Sequence, residues 1–268
     1  MKIFNINAKY STLQSITLSA LPFLICIGWY VLASYFRHEE NPQDKIMPTI
    51  PQMIDGAKRS AFEPDRNNEI RLVVDTISSA KRFGIGLAII FGGVIIGLHM
   101  GMLPFFEGLF LRFVLFFDKI PALALLPILF IIFGLEELSK VALIVIGVLP
   151  TIILDTYLRA KDIPGEQITK AKSLGASDFE ISYRIVLPQI FPKVLDTIRL
   201  NLKAVMLFLI AGESLAATAG LGYRIFVVRR YMAMDIIIPY VLWMSLLLFL
   251  SDLAFRLIIK WRYPWLNK

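Results

Sequence analysis

Six stretches of this chain are dominated by apolar residues, and five of them are long enough to cross a bilayer. A crossing helix needs about 20 mostly apolar residues, because hydrocarbon offers no partner for its backbone amides. The five cover residues 18–36, 82–102, 139–157, 198–219 and 236–259. The remaining run, within residues 109–134, is interrupted by Asp118 and Lys119 and broken or kinked at Pro121 and Pro127. Its spanning part is expected from Ile120, behind a short helix lying beside the membrane. Only 18% of the chain is charged and 57% is hydrophobic. A soluble domain carries roughly a quarter of charged residues. The expected fold class is an all-α polytopic membrane protein with about six transmembrane helices.

The first apolar run is long and lacks a clear A-x-A cleavage site, so it reads as a retained span rather than a signal peptide. Residues 37–81 are polar, and PQMIDGAKRSAF within them predicts a short surface helix, with Pro51 suited to a first turn. In the second span Gly93, Gly97 and Gly101 recur every four residues, which sets them on one helical face. Such a ridge permits close approach of another helix backbone.

Basic residues near span ends indicate orientation. Lys2 and Lys9 precede the first span and Lys260, Arg262 and Lys268 follow the last, so both termini are expected in the cytoplasm. Trp261, Tyr263 and Trp265 fit an aromatic belt at that interface. By the same count residues 158–193 face the cytoplasm, with Arg159, Lys161, Lys170, Lys172 and Arg184. Arg224, Arg229 and Arg230 run against this pattern, in a connection assigned outside. The net charge of +7 then reflects helix anchoring to the lipid bilayer rather than contact with nucleic acid. One Cys and two His supply neither a disulfide framework nor a zinc cluster, and the metal expectation is none. The polar sequence His38-Glu39-Glu40 reads as ordinary solvated surface, and the Phe-rich run 105–117 as a face for lipid or partner helices.

The polar segment 158–193 is long for a connector. Its first part, GEQITKAKSL, is compatible with a helix, and Gly175 can end it in the left-handed conformation. Ser177 stands three residues before Glu180, the spacing of a capping box, in which each side chain satisfies the other residue's backbone amide. A second helix, DFEISYRIVL, is expected to stop before Pro188. The product is a sharply bent helix pair with Ala171, Gly175, Ala176 and Ser177 at the bend, a small-residue surface suited to a groove on another protein.

Within this segment, Gly175 is followed after nine residues by Ile185 and then by Leu187-Pro188. That spacing resembles the cytoplasmic EAA loop of binding-protein-dependent ABC importer permeases. The likeness extends over residues 76–265: IPALALLPILFIIFG, the AGES followed by AGLG, and the closing KWRYPW are similar to the nitrate, sulfonate, taurine and bicarbonate branch. The family's Glu-Ala-Ala opening corresponds to Thr169-Lys170-Ala171, so only the last Ala is kept, and any salt bridge made by the family's Glu has no counterpart. The resemblance implies a type I importer permease fold in which this loop is a coupling helix between spans 4 and 5. Ala171, Leu174, Gly175, Ala176, Ser177, Asp178, Ile185, Leu187 and Pro188 would then touch an ATPase subunit. It further implies a second permease subunit, expected to be a second copy, an extracytoplasmic substrate-binding protein, and residence in a bacterial cytoplasmic membrane. The expected cargo is a small oxyanion such as a sulfonate, taurine, nitrate or bicarbonate, the alternative being another small solute such as a heterocyclic nutrient.

No G-x-x-x-x-G-K-[ST] phosphate loop occurs, so the chain is expected not to be an enzyme and to hold no cofactor of its own. ATP and Mg would belong to the partner ATPase. Glu213, in LFLIAGESLAATAG, is the convincing intramembrane carboxylate. Burying such a group costs about 2.5–3.5 kcal/mol on insertion scales. Two readings stay open: a path or gate position shared with Gly212 and Ser214, or an interfacial Glu near the outer surface. Asp252 and Arg256, four apart, read as an ion pair along one helix face. An ion-coupled secondary transporter would show more such groups, and a membrane enzyme would need a catalytic constellation that two His do not provide. The expected organisation is a first segment 1–36, a polar extracytoplasmic segment 37–75, and a permease domain 76–268 containing the loop 158–193.

Overall fold

The structure, a computed structural model, describes residues 11–42, 44–65 and 68–267. Lys2, Lys9 and Lys268, which carry part of the orientation reading, lie outside them. Among the described residues the chain is helical, in the order α1 (Thr12–Glu40), α2 (Ile50–Ala61), α3 (Arg71–Met102), α4 (Pro104–Asp118), α5 (Leu126–Phe133), α6 (Glu137–Lys161), α7 (Gly165–Ser173), α8 (Asp178–Glu180), α9 (Leu187–Ala216), α10 (Leu221–Arg229) and α11 (Met234–Arg262). Helix α1 opens on a reciprocal cap between Ser11 and Gln14, and α2 on one between Thr49 and Gln52, with Pro51 in its first turn.

Among the described residues, length and composition alone mark four or five helices as spans. Helices α1, α3, α6 and α11 are long and apolar enough to cross a membrane, and α4 with the 122–133 stretch makes a fifth if that pair, bent by 86°, is one span. The bend falls at Lys119–Pro121, where the chain has lost its apolar run and Pro121 cannot continue a helix. The spanning helix expected from Ile120 is thus only a four-residue 3-10 turn followed by eight residues of α5. Helix α9 is long but carries Asp196, Arg199, Lys203 and Glu213, which keep it out of the apolar class. It lies alongside α6 nonetheless: Arg159 donates to Thr197 toward one end, and Gly212 packs on Lys140 toward the other.

A correction concerns α3, which begins at Arg71 instead of Arg82. The extra turns carry Asp75 and Ser79, polar residues that are buried because protein surrounds them. With 32 residues α3 is about 48 Å long. It runs from an upper end, where Asp75 meets Arg224 and Tyr240, to a lower end, where His99 meets Tyr183.

Helices α3, α6 and α9 form the core. Ile90, Val94 and Leu98 pack with Ile144, Val148 and Ile152, and with Val194, Ile198, Val205 and Leu209. The α3–α6 contact is set by the glycine ridge. A Cβ added at Gly93 would lie 2.6 Å from Leu149 Cδ1, at Gly97 2.5 Å from the Ile153 carbonyl oxygen, and at Gly101 2.5 Å from Ala160 Cβ. Helix α2 seats on the first turn of α11, where Gly56 meets the Asp235 backbone and Arg59 pairs with the Asp235 carboxylate at 2.6 Å.

Candidate functional site

The bent segment at the lower end is built by local backbone chemistry. Helix α7 closes in a Schellman arrangement: the Ala176 amide donates to the Ala171 carbonyl (3.1 Å) and the Gly175 amide to that of Lys172 (2.9 Å). Gly175 has φ +85°, and an added Cβ there would meet nothing within 4 Å, so the constraint on this residue is conformational, not spatial. Ser177 then caps α8. Its amide donates to Glu180 Oε2 at 3.2 Å, and the Glu180 amide donates to Ser177 Oγ at 3.3 Å. These bonds, the Ser177 amide first and its hydroxyl second, together with nearby Arg184, hold the Glu180 carboxyl below the usual carboxylate range.

The expected stop before Pro188 is corrected. The helix continues from Asp178 through a π-helical stretch, Ile181–Val186, into α9. In that stretch the Leu187 amide reaches back five residues to the Ser182 carbonyl. The wider turn changes the carbonyl arrangement that a proline ring would otherwise strike, so Pro188 enters the first turn of α9 without breaking the rod.

One face of this segment is anchored. Ala171, Ile181 and Val186 are buried in the main core, and Ala176, Ile185 and Leu187 pack against it half-buried. Tyr183 adds a contact to α3, its hydroxyl 3.3 Å from His99 Nε2. The tip is free of the core. Leu174 and Phe179 are 80% and 68% exposed, Gly175, Ser177, Asp178 and Pro188 are exposed, and Lys172 pairs with Asp178 across the bend at 2.9 Å. The sequence sets Phe179 in a partial apolar stripe with Ile181, Ile185 and Val186, and it was not among the expected ATPase contacts. Its exposed ring, 4.5 Å from that of Tyr183, is legible only once the helix face is known.

The upper end holds a second constellation. Asp75, Ser79 and Arg82 form one stripe along α3 at spacings of four and three residues. They bind the α9–α10 turn through consecutive backbone groups. The Gly220 amide donates to Asp75 Oδ1 (2.9 Å) and the Leu221 amide to Ser79 Oγ (2.8 Å), while Arg82 Nη1 donates to the Ala219 carbonyl (2.8 Å). Glu213 completes the set. It is fully buried and accepts from Ser79 Oγ at 2.7 Å, from Arg82 Nη1 at 2.6 Å and from the Gly222 amide at 2.8 Å. Its side chain is enclosed by protein and not exposed at the surface. Gly220 has φ +141°, and a Cβ there would lie 2.6 Å from the Glu213 carboxyl carbon, so the turn requires glycine on both counts.

Gly212 faces Lys140, and Ser214 donates within its own helix to the Ala211 carbonyl. Sequence reasoning missed Asp75, Ser79, Arg82, Glu137, Arg224 and Tyr240. Arg224, which ran against the orientation pattern, is paired with buried Asp75 at 2.8 Å and so does not act as a free loop charge. The Asp252–Arg256 pair (2.7 Å) is extended by Arg199 of α9, 2.6 Å from Asp252, into a tie between α9 and α11. Beside the turn, α3, α9, α10 and α11 line a mostly apolar, half-open pocket of about 330 Å³ formed by Thr76, Ser79, Phe83, Met206, Leu221 and Leu247.

The fold is that of a multi-pass helical membrane protein, pinned by charge at one end and presenting an anchored, bent helix at the other. Residues 85–266, more than half of the chain, match the family of binding-protein-dependent transport system inner membrane components, and the chain belongs to that family. It is 29% identical over 178 residues to the taurine transport system permease protein of Escherichia coli K12, covering 66% of this chain and 64% of that one, just under two thirds. It is 28% identical over 264 residues to a putative ABC transporter permease protein of Methanocaldococcus jannaschii, covering 97% and 96%. A putative aliphatic sulfonates transport permease protein of Escherichia coli K12 is 27% identical over 147 residues, 55% of this chain and 56% of that one. The fold is similar to that of a chain of the MetNI methionine ABC transporter in an inward-facing conformation, with TM-score 0.60, 19% identity and coverage of 73% of this chain and 98% of the other. This is the type I ABC importer permease fold.

Proposed function

We propose that this chain is the permease subunit of an ATP-driven importer for small sulfonates such as taurine. In this reading residues 165–187 are the lever gripped by an ATPase subunit. The observation that carries it is the two-sided bend: Ala171, Ile181 and Val186 are locked into the core, while Leu174 and Phe179 stand exposed on either side of left-handed Gly175. The continuous rod from Asp178 into α9 gives such a lever a direct route to the membrane helices. ATP and Mg belong to the partner, a second copy of the chain completes the path, and an extracytoplasmic binding protein delivers the cargo at the upper end. The lower end, with the α11 terminus, faces the cytoplasm.

The relatives' names support a sulfonate cargo. Glu213 is not a ligand for an anion, since its charge is already paired with Arg82 and like charges repel. Its role in a gate is to fix the α9–α10 turn beside the pocket, with Gly212 and Ser214 flanking it. The test is uptake into proteoliposomes holding the chain and its copurified ATPase subunit, with a sulfonate-binding delivery protein added. ATP-dependent accumulation of radiolabelled taurine or an alkanesulfonate is expected. Accumulation without ATP, or none for any sulfonate offered, would overturn the reading.

A further inference from the structure

Three helices meet at Arg82, and the division of charge there determines how they can part. On one side Arg82 of α3 holds Glu213 of α9 at 2.6 Å and the Ala219 carbonyl at 2.8 Å. On the other, Glu137 in the first turn of α6 receives Arg82 through two bonds, Nε at 2.5 Å and Nη2 at 2.8 Å. Glu137 also receives Lys140 Nζ, one turn along its own helix, at 3.1 Å. Glu213 is sealed from solvent, whereas the Glu137 side chain is 59% exposed.

If the upper end of α6 moved away, each half would keep an ion pair of its own. Arg82–Glu213 would stay with α3 and α9, and Lys140–Glu137 would leave with α6. Neither half would strand a buried charge, the outcome that makes breaking buried pairs so unfavourable. What else joins α6 to α9 nearby is apolar: Leu143, Phe208 and Ala211 share one cluster, and Gly147 receives the Phe208 ring. Parting such faces forfeits packing but breaks no hydrogen bond and strands no polar group. The joint between α3 and the α9–α10 turn has no such freedom, because its backbone groups are each held by a separate side chain. Lower down, α3 and α6 touch through the glycine ridge at near-backbone distance.

We propose that the Arg82–Glu137 contact is a releasable latch on the upper gate. Helix α6 swings its upper end away from a rigid unit of α3, α9 and the 217–222 turn, and it pivots on the ridge Gly93, Gly97 and Gly101. This rests on the permease reading above and adds which helix moves and which contact breaks.

A cross-link tests it. A Cβ at Gly212 would lie 3.4 Å from Lys140 Cβ, close to the range of about 3.5–4.5 Å in which a disulfide forms. Lys140→Cys with Gly212→Cys, in a Cys26→Ser background, is assembled with the copurified ATPase subunit in proteoliposomes. Oxidative cross-linking should run about tenfold slower in the ATP-vanadate-trapped complex than in the resting one, as a shift of the latch population requires. Equal rates in the two states overturn the latch. Where that variant fails to assemble, Glu137→Gln with Lys140→Gln removes the α6 half without stranding a charge. Basal ATP hydrolysis without delivery protein should then rise severalfold, and unchanged hydrolysis overturns the latch. A wild-type complex that hydrolyses no ATP overturns the permease reading itself, which separates the two failures.

Discussion

Replacing Gly97 by alanine adds one methyl group where two helices are closest. The new carbon would lie 2.5 Å from the Ile153 carbonyl oxygen and 2.7 Å from Thr156 Cβ. Unstrained contacts of this kind settle at about 3.5–4.0 Å, so α3 and α6 must separate by about 1 Å. The carbonyl belongs to the α6 backbone and cannot rotate away, and Gly93 and Gly101 make equally close contacts on either side. Overpacking of this sort costs about 1–3 kcal/mol. Alanine also favours the helix over glycine by about 0.8–1 kcal/mol, which partly hides the loss. Gly92→Ala is the internal control, because a Cβ there meets nothing within 4 Å and only the helix preference remains. The difference between the two variants cancels that preference. It should be about 1–3 kcal/mol, a factor of roughly five to a hundred and fifty in the unfolding constant. Equilibrium unfolding of both proteins in mixed micelles reads this directly. Equal stability of Gly97→Ala and Gly92→Ala would refute the account of the ridge.

Three other outcomes follow from the same structure. Arg82→Met leaves Glu213 buried without a cation and should destabilise the chain by about 3–5 kcal/mol, whereas Glu213→Gln leaves Arg82 its bonds to Glu137 and should lose less; thermal melting of the purified chain compares them. Gly175→Val forces a β-branched residue into a left-handed conformation, at about 1–2 kcal/mol. With open space around it, the membrane helices should stay intact by circular dichroism while copurification of the ATPase subunit falls, and full copurification would contradict the docking reading. Glu180 has a depressed pKa, so its cap contributes stability above the ordinary carboxylate range and loses it as pH falls through the depressed value. Amide exchange over residues 177–181, corrected for intrinsic rates, should therefore accelerate relative to α6 as pH falls below the ordinary glutamate range, and parallel behaviour of the two would contradict it.

Features set by short-range chemistry were legible in the sequence. Gly175, the Ser177–Glu180 box and Pro51 each act within one turn of chain, and the ridge at residues 93, 97 and 101 shows itself by period alone. Features set by what lies opposite were not. Asp75 and Arg82 look like the polar margin of a loop until Glu213, Gly220 and Arg224 are brought to them from more than 130 residues away. Their spacing along α3 was the available signal, a polar stripe that continues the helix upward from the apolar run. The charges of α9 did not hide its apolar run at 198–219, but that run alone could not show that Arg199 meets Asp252 or that Glu213 meets Arg82. Pro188 suggested a stop because local rules assume an α-helical register, and the π stretch before it changes that register.

The central claim is that the exposed tip at Leu174 and Phe179 is what an ATPase subunit holds. A photo-cross-linking amino acid placed at either position, in membranes where the importer is assembled and active, tests it most directly. The account predicts an adduct with the ATPase subunit whose yield changes when ATP and vanadate are added. Adducts with lipid alone, or with a protein on the opposite side of the membrane, would contradict it.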